Sequence, residues 1–82
     1  MTDELKLIVL SPEKKILDVE CSKVSLPGAL GAFTVLKYHR ALLSSLSAGK
    51  IVYGVQGEEK ELEISSGFVE VKDNKVTACV EL

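Results

Sequence analysis

Phe68-Val69-Glu70-Val71-Lys72-Asp73-Asn74-Lys75-Val76-Thr77-Ala78-Cys79-Val80 is the stretch that decides the fold. Apolar residues recur at every second position on both sides of Asp73-Asn74, the spacing of a strand with one buried face. Asp and Asn tolerate the left-handed backbone that a two-residue hairpin turn demands of its central residues. The stretch reads as an antiparallel hairpin. Val69 and Val71 lie inward on one arm, and Val76, Ala78, Val80 and Leu82 share one face of the other.

Short strands separated by turn residues continue outward from it. Ser65-Ser66-Gly67 is a turn. Ile51–Val55 and Glu61–Ile64 read as strands joined through Gln56-Gly57-Glu58-Glu59-Lys60. Leu5–Leu10 is a strand, and Ser11-Pro12-Glu13-Lys14-Lys15 is a polar break that could also open a short helix. Ile16–Glu20 is extended. Ser22, Val24 and Leu26 then alternate with Cys21, Lys23 and Ser25, which assigns Cys21 to a face with polar neighbours. Cys79 is assigned likewise, with Thr77 and Glu81. Pro27-Gly28 ends that strand, because Pro fixes φ and Gly accepts positive φ. Phe33–Leu36 resumes as a strand. Leu42, Leu43 and Leu46 fit a helix face closed by Gly49, and they fit an extended segment as well. The sum is a single all-β domain, a flattened two-sheet antiparallel sandwich of about eight to ten short strands. Val24, Leu26, Val35, Ile64, Val69, Val71, Val76, Ala78 and Val80 are its expected inward residues.

Composition excludes several functions. At 82 residues the chain makes one domain, which buries only roughly 60–65% of the surface it exposes unfolded. An apolar content of 46% exceeds what so small a core absorbs and points to a partner surface. The net charge is −2, with no basic stripe and only Phe33, Tyr38, Tyr53 and Phe68 as aromatics, a poor basis for nucleic-acid binding. Met1-Thr2-Asp3-Glu4 is acidic and lacks the apolar core of a signal peptide. No apolar run has the length of a membrane span. Cys21 and Cys79 lack metal-ligand spacing and are expected to be reduced thiols.

Candidate chemistry is thin. His39 is the only histidine. A nucleophilic site would need it beside Ser44, Ser45 or Cys79 with an orienting carboxylate, and no G-x-S-x-G elbow exists. One histidine and scattered carboxylates do not make a zinc site. Gly28-Ala29-Leu30-Gly31 lacks the GK[ST] ending of a phosphate loop, so it reads as a tight turn, a protein contact, or both. The domain is expected to be non-catalytic, with no cofactor, no metal and no small-molecule substrate.

Several ordered motifs carry a family resemblance: Ser11-Pro12-Glu13, Pro27-Gly28-x-x-Gly31, His39 followed by Leu42-Leu43, Gly49-x-Ile51, and Ser66-Gly67-Phe68-Val69-Glu70-Val71 before Asn74-x-Val76-Thr77. In order and spacing, over about residues 5 to 81, the chain resembles the N-terminal β-sandwich domain of the epsilon subunit of F-type ATP synthases. The resemblance favours an extended 41–48 segment. It implies a rotor subunit at the foot of the central stalk, on the cytoplasmic face of the bacterial plasma membrane. There the domain would bind the gamma subunit and the membrane c-ring and couple proton flow to ATP synthesis. The alternative is a stand-alone β-sandwich adaptor.

The resemblance also implies the contacts. Gly28, Ala29, Leu30, Gly31 and Ala32 would meet the c-ring. Ser11, His39, Arg40, Leu42 and Leu43 would meet gamma. This chain departs from the family around the histidine, with Lys37-Tyr38 before it and Arg40-Ala41 after it where Pro-Gly and Ala-Pro are common. Ala32 stands where a ring-facing carboxylate is frequent. Family members continue into two C-terminal helices that bind nucleotide and inhibit ATP hydrolysis. The sequence reaches only Leu82, so neither property is expected of it.

Overall fold

The computed structural model describes residues 5–82, so the acidic start Met1–Glu4 lies outside the described residues. The strands are β1 (Leu5–Leu10), β2 (Lys15–Cys21), β3 (Lys23–Leu26), β4 (Phe33–Leu36), β5 (Leu42–Leu46), β6 (Gly49–Val55), β7 (Glu58–Ile64), β8 (Ser66–Lys72) and β9 (Lys75–Glu81). They form a five-stranded sheet, β2-β1-β9-β8-β5, facing a four-stranded sheet, β4-β3-β6-β7. Among the described residues there is no helix. The all-β, two-sheet sandwich is as expected.

The core lies between the sheets. All nine residues expected to point inward are buried, and they are joined by Leu5, Leu7, Val9, Leu46, Ile51 and Tyr53. Each fully buried Leu, Ile or Val stabilises by roughly 1.5–3 kcal/mol. Two turns set the hairpins. Asp73 and Asn74 have φ of 53° and 61°, the two positive values of the hairpin turn read from sequence. Gln56 and Gly57 do the same, at 52° and 84°, and Val55 pairs with Glu58. The connection between β6 and β7 is thus shorter than the five residues expected. Glu58, Glu59 and Lys60 belong to β7, where charge protects a sheet edge.

Five further expectations are corrected. Ser66 and Gly67 belong to β8 and not to the turn expected at Ser65-Ser66-Gly67, so only Ser65 separates β7 from β8. The sandwich is not purely antiparallel, because β1 runs parallel to β9, with Leu7 opposite Val76 and Val9 opposite Ala78. These strands are far apart in sequence, so no tight turn dictates their relative direction. Cys21 is fully buried, and Ser22 is exposed. The chain passes from one sheet to the other at Ser22, where the Ser22 N–H donates to the Gly54 carbonyl at 2.9 Å. That crossing resets the alternation, so Cys21 shares its phase with β2 and not with Lys23 and Ser25. Leu82 lies beyond β9 and is exposed, off the face of Val76, Ala78 and Val80. The Ser11–Lys15 break opens no helix: the Ser11 N–H donates to the Lys14 carbonyl at 2.9 Å and closes a turn.

Candidate partner-binding surfaces

Residues 42–46 pair with β8 as a strand, Leu42 opposite Val71 and Leu43 opposite Glu70. Strand geometry separates the two leucines. Leu42 turns inward and packs against the core, whereas Leu43 points out and is 75% exposed. A helix would have placed both on one face.

Register places further side chains beside Leu43. Across the outer face of the five-stranded sheet, Leu10 lies opposite Cys79, Cys79 opposite Phe68, and Phe68 opposite Ser45. One row along, Ile8 is followed by Thr77, Glu70 and Leu43. Phe68 is 60% exposed. It borders a shallow recess of about 490 Å³ lined also by Leu10, Ser11, Pro12, Gly67 and Cys79. The outer face of the four-stranded sheet differs. There Lys23 reaches Glu59 at 2.9 Å, Lys50 reaches Glu61 at 3.2 Å, and the Ser25 and Thr34 hydroxyls share a 2.9 Å hydrogen bond. The four-stranded sheet's outer face is mostly charges and hydroxyls, with Leu36 exposed at its edge. The five-stranded sheet's outer face gathers Phe68 and Leu43 on its β8–β5 side, near Leu10 and beside Glu70 and Thr77, and carries the Lys6–Asp18 pair toward β2.

Ser11 and His39 lie at opposite ends of the apolar face. Ser11 follows Leu10, and its Oγ accepts from the Glu13 and Lys14 N–H groups at 3.4 and 3.3 Å. His39 sits by the Asp73-Asn74 turn, where it shares a second recess with Tyr38, Arg40 and Lys72. The His39 Nδ1–H donates to the Arg40 carbonyl at 2.8 Å. Tyr38, with φ of 67°, donates its N–H to Asn74 Oδ1. Lys37-Tyr38 therefore makes a turn without glycine, held by the neighbouring hairpin. The expected gamma set is spread along one face and its two ends, with Leu42 behind it.

The Gly28–Ala32 loop stands at the Ser11 end, and three features fix it. The Gly31 N–H donates to the Gly28 carbonyl at 3.0 Å. The Ala29 N–H donates to Ser45 and the Ser47 N–H to Pro27, at 2.9 and 2.8 Å. Gly28 forms a bridge with Leu46, so the loop ties the two sheets together. Leu30 is at its tip, fully exposed at 104%.

Toward β2 the outer face of the five-stranded sheet is charged. Lys6 and Lys15 both bond Asp18, at 3.1 and 3.0 Å, and hold its carboxyl below its ordinary value. Among the described residues no group of three or more His, Cys, Asp or Glu could hold a metal ion. Ser44 Oγ donates to the Ser45 carbonyl at 3.0 Å rather than to an imidazole. Sequence reading missed Phe68, Leu10 and Pro12 as surface residues. The signal was present for Phe68, which is out of phase with Val69 and Val71.

Comparison with known proteins agrees along the whole chain. Residues 4–81 match the family described as ATP synthase, Delta/Epsilon chain, beta-sandwich domain. Similar relatives include the ATP synthase epsilon chain of Geobacter sulfurreducens, 41% identical over 81 residues, and that of Desulfitobacterium hafniense, 44% identical over 77 residues. The alignments cover 99% and 94% of this chain but 59% and 58% of those proteins. The chain thus spans about three fifths of the length of the curated relatives it matches. In structure it is similar to a chain of the Euglena gracilis mitochondrial ATP synthase, solved with OSCP, F1 and c-ring. The TM-score is 0.89 at 20% identity, covering 98% of this chain and 52% of that one. A chain of the Tetrahymena thermophila central stalk and c-ring assembly gives 0.79 at 17% identity, with 96% and 64% covered. At those identities the likeness is one of fold, and it is the same two-sheet sandwich built here. The sequence match supplies the rest: this chain belongs to the ATP synthase delta/epsilon β-sandwich domain family.

Proposed function

We propose that the chain is a central-stalk rotor subunit of an F-type ATP synthase, joining the gamma subunit to the membrane c-ring so that proton flow drives ATP synthesis. The observation that supports this reading is the exposed patch of Leu43 and Phe68 beside Leu10 on the outer face of the five-stranded sheet. A stable rotor joint needs an apolar centre with a polar rim. The five-stranded sheet offers one: Leu43, Phe68 and Leu10, with Ser11 at one end and His39 and Arg40 at the other. Gamma would dock there, and Leu42 would support Leu43 from beneath through the packing of β5. The Gly28–Ala32 loop, at one end of the sandwich, would rest on the c-ring. The domain would act as a rigid spacer that transmits torque and catalyses nothing. Its place would be the cytoplasmic face of the bacterial plasma membrane, held there by the complex.

His39 would serve this joint through hydrogen bonding, with its ring oriented by the Arg40 carbonyl. A His39→Gln variant should therefore still assemble. Native mass spectrometry of the chain mixed with its gamma subunit tests the reading directly. A one-to-one complex is expected at micromolar concentration. Its absence would overturn the rotor assignment.

A further inference from the structure

We infer that two copies of this chain pair edge to edge through β4, Thr34 opposite Thr34 about a two-fold axis, so that their four-stranded sheets join into one. The inference concerns the chain on its own and does not rest on the rotor reading. It starts from the four sheet edges, β2 and β5 of one sheet and β4 and β7 of the other. An edge strand exposes a row of backbone donors and acceptors, and proteins shield such rows with charge or with a covering segment. Strand β2 carries Lys15, Asp18 and Glu20, and β7 is charged at every position but Leu62 and Ile64. Strand β5 is capped by residues 27–29, through the Ala29 N–H to Ser45 and the Ser47 N–H to Pro27. Strand β4 has neither device, and no charged residue occurs between Lys23 and Lys37.

Hydrogen-bond phase shows which backbone groups of β4 stand open. The Gly54 carbonyl accepts from the Ser22 N–H, so Gly54 faces β3, and Val52, two residues away, faces it too. Val52 lies opposite Ser25, so Ser25 bonds β6. Val24 and Leu26 then bond β4, at Val35 and Phe33. Thr34 and Leu36 are left with their backbone groups aimed out of the sheet. The Leu36 carbonyl turns back to the His39 N–H at 3.2 Å. The Thr34 N–H, the Thr34 carbonyl and the Leu36 N–H have no backbone partner among the described residues. The Leu36 side chain beside them is 55% exposed.

Such a row recognises an extended backbone, and a second copy of β4 matches it in spacing. In antiparallel pairing about Thr34, each Thr34 N–H meets the Thr34 carbonyl of the other copy, and each Leu36 N–H meets the other copy's Ala32 carbonyl. The two threonine side chains then stand side by side, a favourable cross-strand pair, and each Leu36 is covered in part by an Ala32. The arrangement closes on itself and brings no charge into contact. The contact is short, so association is expected to be weak, half complete at about 0.1–1 mM.

Sedimentation equilibrium of the chain from about 10 μM to about 2 mM measures the association, and amide exchange followed by NMR locates it. A monomer–dimer equilibrium is expected, with exchange at the Thr34 and Leu36 amides slowing as the dimer fills. Thr34→Lys and Thr34→Glu each set like charges across the axis and should weaken dimerisation roughly tenfold or more. An equimolar mixture of the two should regain it, because lysine then faces glutamate. Thermal midpoints of both variants at low concentration should stay within a few degrees of the parent, since Thr34 is exposed. A chain still monomeric at the highest concentration overturns the inference. So does a dimer that neither variant weakens, or one whose slowed amides lie on β2, β5 or β7. Weakening in both variants without recovery in the mixture overturns the two-fold register.

Discussion

Gly28 has no room for a side chain. A Cβ there would lie 2.6 Å from the Gly31 carbonyl oxygen and 2.9 Å from the Phe33 ring. Gly28→Ala should cost about 1–3 kcal/mol, as overpacking does, and a urea midpoint shift would report it. An unchanged midpoint would show that the loop relaxes freely. The cysteines give a second prediction. Cys79 is half-buried on the outer face and Cys21 is sealed in the core. A thiol reagent should label Cys79 in the native protein and reach Cys21 only on unfolding. The sequence did not show this difference, because alternation cannot be carried across a point where the chain changes sheets. Asp18 gives a third. Hydrogen bonds from Lys15 and then Lys6 depress its carboxyl below the ordinary 3.8, so ionised Asp18 favours the fold. That contribution is complete above about pH 3.8 and is lost as pH falls through the lower folded value. Asp18→Asn should flatten this part of the acid limb in melts between about pH 2 and 5, with little change at neutral pH because the pair is exposed.

Hairpins were the most legible elements, and β5 was the least. Asp73-Asn74 is recognisable because few residues accept positive φ twice in succession. Its second task was hidden: Asn74 Oδ1 accepts the Tyr38 N–H, and its carbonyl accepts the Lys6 N–H at 2.9 Å. Asn74→Gly should keep the turn and lose only the tie to Tyr38, at about 1 kcal/mol. Asn74→Ala should cost more, since it adds left-handed backbone strain of roughly 1–2 kcal/mol. Equal stabilities for the two would mean that the tie alone matters. For β5 the sequence Leu42-Leu43-Ser44-Ser45-Leu46 is too short and too irregular to separate a period of two from one of 3.6. Pairing with β8 decides it. Tertiary hydrogen bonding, not local propensity, makes that segment a strand.

The outer face of the five-stranded sheet carries an exposed apolar patch around Leu43 and Phe68, and the gamma joint is predicted there. Leu43→Asp or Phe68→Asp should weaken gamma binding at least tenfold while leaving the thermal midpoint within a few degrees, because both side chains stand in solvent. A matching substitution at Leu42 should lower stability instead, since Leu42 packs against the core. If the Leu43 and Phe68 variants bind gamma as the parent does, the joint lies elsewhere. A different consequence follows from the parallel pairing of β1 with β9 in the middle of the larger sheet. The strand made first waits for a neighbour about seventy residues later, so loop-closure entropy must be met before the central ladder gives any return. Folding should therefore be slow for so small a domain, in milliseconds to seconds. On the ribosome, β1 and β2 would remain an open ribbon, vulnerable to proteases and to wrong partners, until β9 emerges to seal the sheet.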